Sequence, residues 1–347
     1  MHIQVAIVGA GLTGLSIARA LHRAGISCHV FEARDRLGGR IRTEALGDDW
    51  FDLGPSWFWP GQPCMAALVQ SLGLDVFEQY ADGALLYETE TGEVVRDRGF
   101  SSMQGSLRVK GGMGAIVAGI ARGLPVGAIS LGRRVMSIGP DGALVFESGE
   151  PVSADLVIVA LPPRVAAGLS FKPALRPDSI AALYSIPTWM AGHAKFVAVY
   201  DQPFWRAEGL SGDAMSRLGP MVEIHDASSD NRGALFGFLG VPAQARAGRG
   251  ADVKAACVAQ LQRMFGDKAG QPEAMFYADW ATEPETAMPR DAAPLMHHPA
   301  YGRPDALRPT DSPIFFSSTE LASDMGGFLE GALSAAEDAV DWAMSRL

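Results

Sequence analysis

Ile3-Gln4-Val5-Ala6-Ile7-Val8-Gly9-Ala10-Gly11-Leu12-Thr13-Gly14, answered 18 residues further on by Glu32, is the stretch that decides the fold. Residues 3–8 are an apolar run, the pattern of a parallel strand buried on both faces. Glycines break the run, and over residues 15–24 apolar side chains return at helical spacing, with Leu15, Ala18 and Leu21 on one face. Residues 28–32 read as a second strand, which completes a β-α-β unit. In that context each glycine of G-x-G-x-x-G has a task. Gly9 allows the tight turn, Gly11 lets the backbone approach a pyrophosphate, and Gly14 lets helix and strand pack closely. Leu12 and Thr13 open the helix, whose free N–H groups and partial positive charge suit phosphates. Glu32 ends the second strand, where a carboxylate accepts hydrogen bonds from both hydroxyls of a ribose. The fold class is therefore α/β, with a Rossmann-like dinucleotide-binding domain.

Outward from this unit, strands are expected over 155–161, 193–201, 219–226, 233–239, 275–280 and 314–318, with paired strand-like segments around 126–147. Helices are expected over 65–72, 114–122, 251–265 and from about 327 to the end. With 347 residues the chain has room for two domains. Residues 1–60, 107–165 and 285–347 read as a discontinuous cofactor domain, and 61–106 with 166–284 as a smaller sheet-plus-helix substrate domain. A hydrophobic content of 48% and a charged content of 20% are those of a globular enzyme. The net charge of −10, without a dense Lys/Arg run, argues against a nucleic-acid partner. Cys28, Cys64 and Cys257 are too scattered for a disulfide framework or a zinc site and read as buried thiols. No leader precedes the first strand and no apolar run reaches the ~20 residues of a membrane span, so a cytoplasmic protein is expected.

Glu32-Ala33-Arg34-Asp35-Arg36-Leu37-Gly38-Gly39-Arg40 separates a flavin from a nicotinamide. The Gly38-Gly39 pair lets the chain pass close to a pyrophosphate, and Arg34 and Arg40 are suited to phosphate. Asp52-Leu53-Gly54, continued by Pro55 and Ser56, follows as a turn. With these segments the chain resembles the flavin-containing amine oxidase family, which has a glutathione-reductase-like FAD domain. The resemblance continues through Arg134-Val135, whose valine backbone would pair with adenine, and through residues 156–163, where Leu161 precedes a Pro-Pro turn. It ends on Phe316-Ser317-Ser318-Thr319-Glu320 and Gly326-Gly327-Phe328-Leu329-Glu330-Gly331-Ala332. It implies that Thr319 and Glu320 lie by the ribityl or pyrophosphate region. It also implies that Gly327, Phe328, Leu329 and Ala332 face the flavin, where a helix N-terminus stabilises charge developing on reduction.

On the substrate side the resemblance makes Lys195 the residue that holds a water near flavin N5 and assists reoxidation by oxygen, and it places Trp280 near the ring. Independently, a lysine inside an apolar strand must find a polar partner or lose its charge, unless it snorkels to the surface. Phe328 stands where the second ring of the family's aromatic cage is expected. No aromatic residue occurs over 285–289 to supply the first ring, and no cysteine there can form a thioether, so FAD is expected to be non-covalent. Trp57, in Ser56-Trp57-Phe58-Trp59, could rebuild the missing wall or pack between the domains. Only about fifty residues separate the Asp52 turn from Leu107, where the family usually has a long helical portion. The site is then either more open or completed by another subunit in a homodimer. His297-His298 has no spaced ligand partners, and no metal is expected. The function implied is an FAD-dependent oxidoreductase that oxidises an amine and passes the electrons to O2. A renalase-like oxidase of dihydronicotinamides and a flavin-bound protein without turnover are the alternatives.

Overall fold

The computed structural model describes residues 2–293, 295 and 297–347. Strand His2–Val8 lies at the centre of a parallel sheet whose order is Ile314–Phe316, Ser153–Val159, His2–Val8, Cys28–Phe31 and Ile129–Ser130. Its register sets Val5 opposite Leu156 on one side and Cys28 on the other. Period-two alternation divides its side chains between two cores. Val5 and Ile7 face helices Leu12–Arg23, Gly114–Arg122 and Leu329–Met344. Ala6 and Val8 face a three-stranded layer of Leu144–Phe146, Val135–Ile138 and Ser170–Phe171, with helix Pro177–Ser185 beside it, and Ile3 near the strand's start joins the same core. Both faces are dry from Val5 to Val8, which is why those residues show no polar alternation, whereas Gln4 nearer the strand's start is exposed.

The second sheet has seven strands in the order Ala274–Asp279, Ala194–Tyr200, Gly233–Leu239, Met221–Asp226, Leu210–Ser216, Ala84–Glu88 and Val94–Arg96. Its buried strand Ala194–Tyr200 sends Phe196, Ala198 and Tyr200 toward helix Gly250–Phe265. Val197 and Val199 point the other way, into a core with Phe51, Leu53, Trp57 and Trp280. That last core is the seam between the second sheet and the strand Asp49–Asp52 with the turn that follows it. No helix among the described residues is long and apolar enough to cross a membrane.

Some elements escaped the periodicity reading. Leu210–Ser216 carries Ser211, Asp213 and Ser216 inside a strand, and all three are buried. They are tolerated because Asp213 meets the His225 Nδ1 at 2.8 Å and Ser216 donates to Glu88 at 2.5 Å. Hairpin Thr43–Leu46 with Asp49–Asp52 is short; Asp52 accepts from Thr43 Oγ1 within it, and Asp49 accepts from the distant Ser229 Oγ at 2.6 Å. The thiol reading needs correction too: Cys257 is buried, whereas Cys28 and Cys64 are half-buried.

The packing also bears on the domain division. Met65, Leu68 and Val69 of helix Pro63–Ser71 join the core of the parallel sheet, as do Phe171 and Leu183 on its other face. We propose on this packing that residues 61–75 and about 166–187 belong to the cofactor half, leaving the hairpin region and 194–279 as the substrate half. Glu330 ties helix Pro63–Ser71 down, because its buried carboxylate accepts from Cys64 N at 2.9 Å and Met65 N at 2.8 Å. These bonds satisfy N–H groups that a helix start leaves orphaned. Glu330→Ala is expected to destabilise the protein by about 2 kcal/mol. Urea unfolding should show a lower midpoint at unchanged slope, and an unaltered midpoint would contradict this capping role.

Candidate active site

A cavity of about 680 Å³ runs from the ends of strands His2–Val8 and Cys28–Phe31 to the face of Ala194–Tyr200, within the range of cofactor and small-molecule sites. Every residue singled out from the sequence for cofactor or substrate contact lines it, except Gly14 and Glu320. Gly14 instead sits where a Cβ would collide with the Gly9 carbonyl, so it permits the close packing expected of it. Gly9 has φ +103°, and a Cβ there would meet the Ala160 carbonyl at 2.7 Å. Helix Leu12–Arg23 starts at Gly11 without a side-chain cap, leaving its first-turn N–H groups to a ligand. A Cβ on Gly39 would lie 3.2 Å from the Gly11 Cα, so the two glycine loops close on each other. The Glu32 carboxylate is fixed at the strand end, accepting from Ala10 N at 2.7 Å and from Arg34 N at 3.0 Å. This glycine-lined cradle, uncapped helix start and oriented carboxylate fit a dinucleotide.

The two arginines are not free. Arg34 donates to Thr286 Oγ1 at 2.8 Å and to Glu283 at 3.2 Å. Arg40 grips the fully buried Glu320 through both terminal nitrogens, the shorter bond being 2.6 Å. Glu320 therefore orients Arg40 from behind the cavity wall. At the far end of the cradle, Val135 and Leu161 line the wall, and Arg134 pairs with Glu285.

Lys195 marks the opposite end. It is 2% exposed, which excludes snorkelling. Its Nζ donates to Ser56 Oγ at 2.6 Å and to Gly54 O at 3.2 Å, and it lies 3.8 Å from the centre of the Phe236 ring. Burial pushes its pKa down to about 7, the Arg108 charge adds to the effect and Asp52 opposes it. Trp280 donates its indole N–H to Leu53 O at 3.0 Å, beneath the same turn. In Trp57-Phe58-Trp59 the alternation splits the cluster. Trp57 and Trp59 line the cavity, while Phe58 packs into the helical core. Trp59 meets Phe328 edge to face with centroids 6.2 Å apart, unlike a parallel cage. His298 stacks on Phe328 at 5.1 Å, so this histidine packs against the aromatic wall.

Trp189, Met190, His193 and Phe238 also line this end and were missed from the sequence. A usable signal existed for His193, since alternation puts it on the same strand face as Lys195.

The family profile described as flavin containing amine oxidoreductase matches residues 12–99 and 77–342. A probable flavin-containing monoamine oxidase A of Dictyostelium discoideum is 23% identical over 435 aligned positions, 95% of each chain. The putrescine oxidase of Kocuria rosea is 25% identical, over 95% of this chain and 92% of that one. Alignments longer than this chain's 347 residues mean that both relatives carry segments it lacks. Two solved structures share the fold at a TM-score of 0.84. A putrescine oxidase bound to putrescine is 23% identical with both chains fully covered, and the cyclohexylamine oxidase of Brevibacterium oxydans is 20% identical with 99% of each covered.

The buried amine has a consequence for stability. Between pH about 7 and the ordinary lysine value of 10.5 the unfolded chain binds a proton that the folded chain does not. Stability linked to Lys195 therefore rises with pH across that window. Relative to Lys195→Met, the wild type should gain stability between pH 7 and pH 10 in urea unfolding. Parallel pH curves for the two proteins would place the amine in a polar environment instead.

Proposed function

Because the chain belongs to the flavin containing amine oxidoreductase family, we propose that it binds FAD non-covalently and oxidises an amine, with O2 as the electron acceptor. One observation carries this reading: a single cavity joins the dinucleotide cradle to a buried lysine amine walled by aromatic side chains. Glu32 would hold the adenosine ribose, the Gly9 and Gly39 loops with Leu12 and Thr13 the pyrophosphate, and Ser56, Leu329 and Ala332 the ring end. FAD held there would supply the acceptor for the two electrons and the hydrogen that leave the carbon bearing the amine nitrogen. Trp57, Trp59, Phe238 and Phe328 exclude water and favour an amine in its neutral form. The imine produced hydrolyses to an aldehyde, and oxygen ends as hydrogen peroxide. Lys195 holds a water at the reacting face and, while protonated, stabilises the anionic charge that builds on oxygen.

None of Cys28, Cys64 and Cys257 lines the cavity, which supports a cofactor without a thioether. Acid denaturation of the purified protein is expected to release intact FAD, and flavin remaining on the precipitated chain would refute this attachment.

The activity is tested by anaerobic stopped-flow reduction with primary amines and, separately, dihydronicotinamides, followed by mixing with oxygen. Amines should bleach the bound flavin, and air should restore it with peroxide formed. Lys195→Met should slow the oxygen step by at least tenfold, with a smaller effect on reduction. Reduction by dihydronicotinamides alone, or by neither class, would replace the proposal.

A further inference from the structure

A primary amine reaches the cavity mostly as an ammonium, which has no lone pair to support oxidation of the neighbouring carbon. Something must accept a proton. Among the described lining residues the carboxylates are Glu32, Glu147 and Glu285, all at the adenosine end. Each is engaged there, Glu32 with backbone N–H groups and the other two with Arg134. At the opposite end the titratable lining groups are Lys195 and His193. Lys195 already spends two N–H bonds on Ser56 and Gly54.

His193 continues the ladder of the strand that carries Lys195. Its carbonyl accepts from Trp280 N at 3.0 Å, one step beyond the pairing of Ala194 with Asp279. Alternation therefore puts the His193 side chain on the face of Lys195, Val197 and Val199, which is the face turned to the seam. Two residues of strand separate the Cα atoms of His193 and Lys195 by about 6.6 Å. The half-buried imidazole makes no side-chain hydrogen bond to any described residue.

We propose, resting on the amine-oxidising function above, that His193 accepts the proton of the incoming ammonium and so delivers the neutral amine to the reacting end of the cavity. The ammonium N–H bond breaks and its electron pair stays on nitrogen. An N–H bond forms on the imidazole, and the proton leaves to solvent before the next turnover. The groups around the ring keep it ready to accept. Arg246 donates to Gly192 O at 3.0 Å and is paired with Asp279. Arg164 is paired with Asp291, and Arg290 lies on the solvent side of the small pocket these residues share with His193. Burial, aided by the Arg246 charge, pushes the imidazole below its ordinary value, so it is neutral at pH 7.

The test is the pH dependence of anaerobic flavin reduction by benzylamine in the wild type, His193→Asn and Lys195→Met. The wild-type second-order rate should be flat above the imidazole pKa and fall below it. In His193→Asn the rate should climb about tenfold per pH unit toward the amine's own pKa. The deficit should reach about 100-fold at pH 7 and nearly vanish by pH 10. Binding of 2-phenylpropan-2-amine, which has no hydrogen on the carbon bearing nitrogen, reports the bound neutral amine without turnover through the flavin spectrum. Its affinity should rise with pH alike in the wild type and His193→Asn, because an imidazole below its ordinary pKa passes the proton on to solvent, so a difference confined to the rate marks relay through the ring. A loss of equal size at every pH, an unchanged profile, or the shifted profile appearing in Lys195→Met instead would overturn the assignment while leaving the amine-oxidising function standing. Failure of every amine to reduce the wild type would overturn both.

Discussion

Leu53-Gly54 is the turn on which both halves of the molecule close. Leu53 N and Gly54 N donate to Arg42 O at 2.8 and 3.3 Å, which holds the turn to the cofactor half. Leu53 O accepts from the Trp280 indole and Gly54 O from the Lys195 amine, which hold it to the substrate sheet. A side chain at position 54 would collide with the Arg40 carbonyl, so only glycine passes there. The preceding Asp52 accepts from Thr43 Oγ1 at 2.5 Å and Met113 N at 3.0 Å, anchoring the turn at the start of helix Gly114–Arg122. With its backbone groups all satisfied in the dry interior, the turn cannot shift without orphaning one of them. The cavity end inherits that rigidity.

Charge around the cofactor cradle is handled by pairing. Arg34 with Glu283, Arg40 with Glu320, Arg134 with Glu285 and Arg164 with Asp291 each join segments more than 100 residues apart. Such pairs contribute little net stability after desolvation, yet losing one partner leaves a costly uncompensated charge. Their effect is to specify how distant segments meet around the cofactor cradle. Lys195 is the exception, because its neighbours are a hydroxyl, a carbonyl and aromatic faces. Asp52 acts on an ammonium there without forming an ion pair, burial prevails, and the proton is held weakly.

The segment after the Asp52 turn is compact. Between Asp52 and Leu107 the chain has one nine-residue helix, a three-residue strand and the hairpin Ala84–Glu88 with Val94–Arg96, which extends the edge of the seven-stranded sheet. Aromatic side chains from several loops wall the cavity: Trp57 and Trp59 after the Leu53-Gly54 turn, Trp189 ahead of the Lys195 strand, and Phe328 before the last helix. Behind Trp57, His225 is buried between Asp213 at 2.8 Å and Glu223 at 3.0 Å, and its ring meets the indole edge to face at 5.1 Å. That ionic cluster stiffens the wall from outside the cavity.

Local spacing in the chain was enough to determine the nucleotide cradle. Gly9, Gly11, Gly14 and Glu32 are read within one β-α-β unit, and turn sterics and strand period act over a few residues. The Ala194–Tyr200 strand and the burial of Lys195 were legible for the same reason, since a lone charge in an apolar run stands out. Tertiary structure alone decided what the charged groups do. Arg34 and Arg40 look identical as phosphate ligands in sequence, yet carboxylates about 250 and 280 residues away take both guanidinium groups. Leu210–Ser216 becomes a strand only because His225 and Glu88 arrive to satisfy its buried polar side chains. His193 falls at the start of the strand expected over 193–201, but its place in the cavity wall appears only in the folded chain. Sequence pattern reports energies that depend on near neighbours, whereas the pairing of a buried polar group depends on which distant segment the fold brings to it.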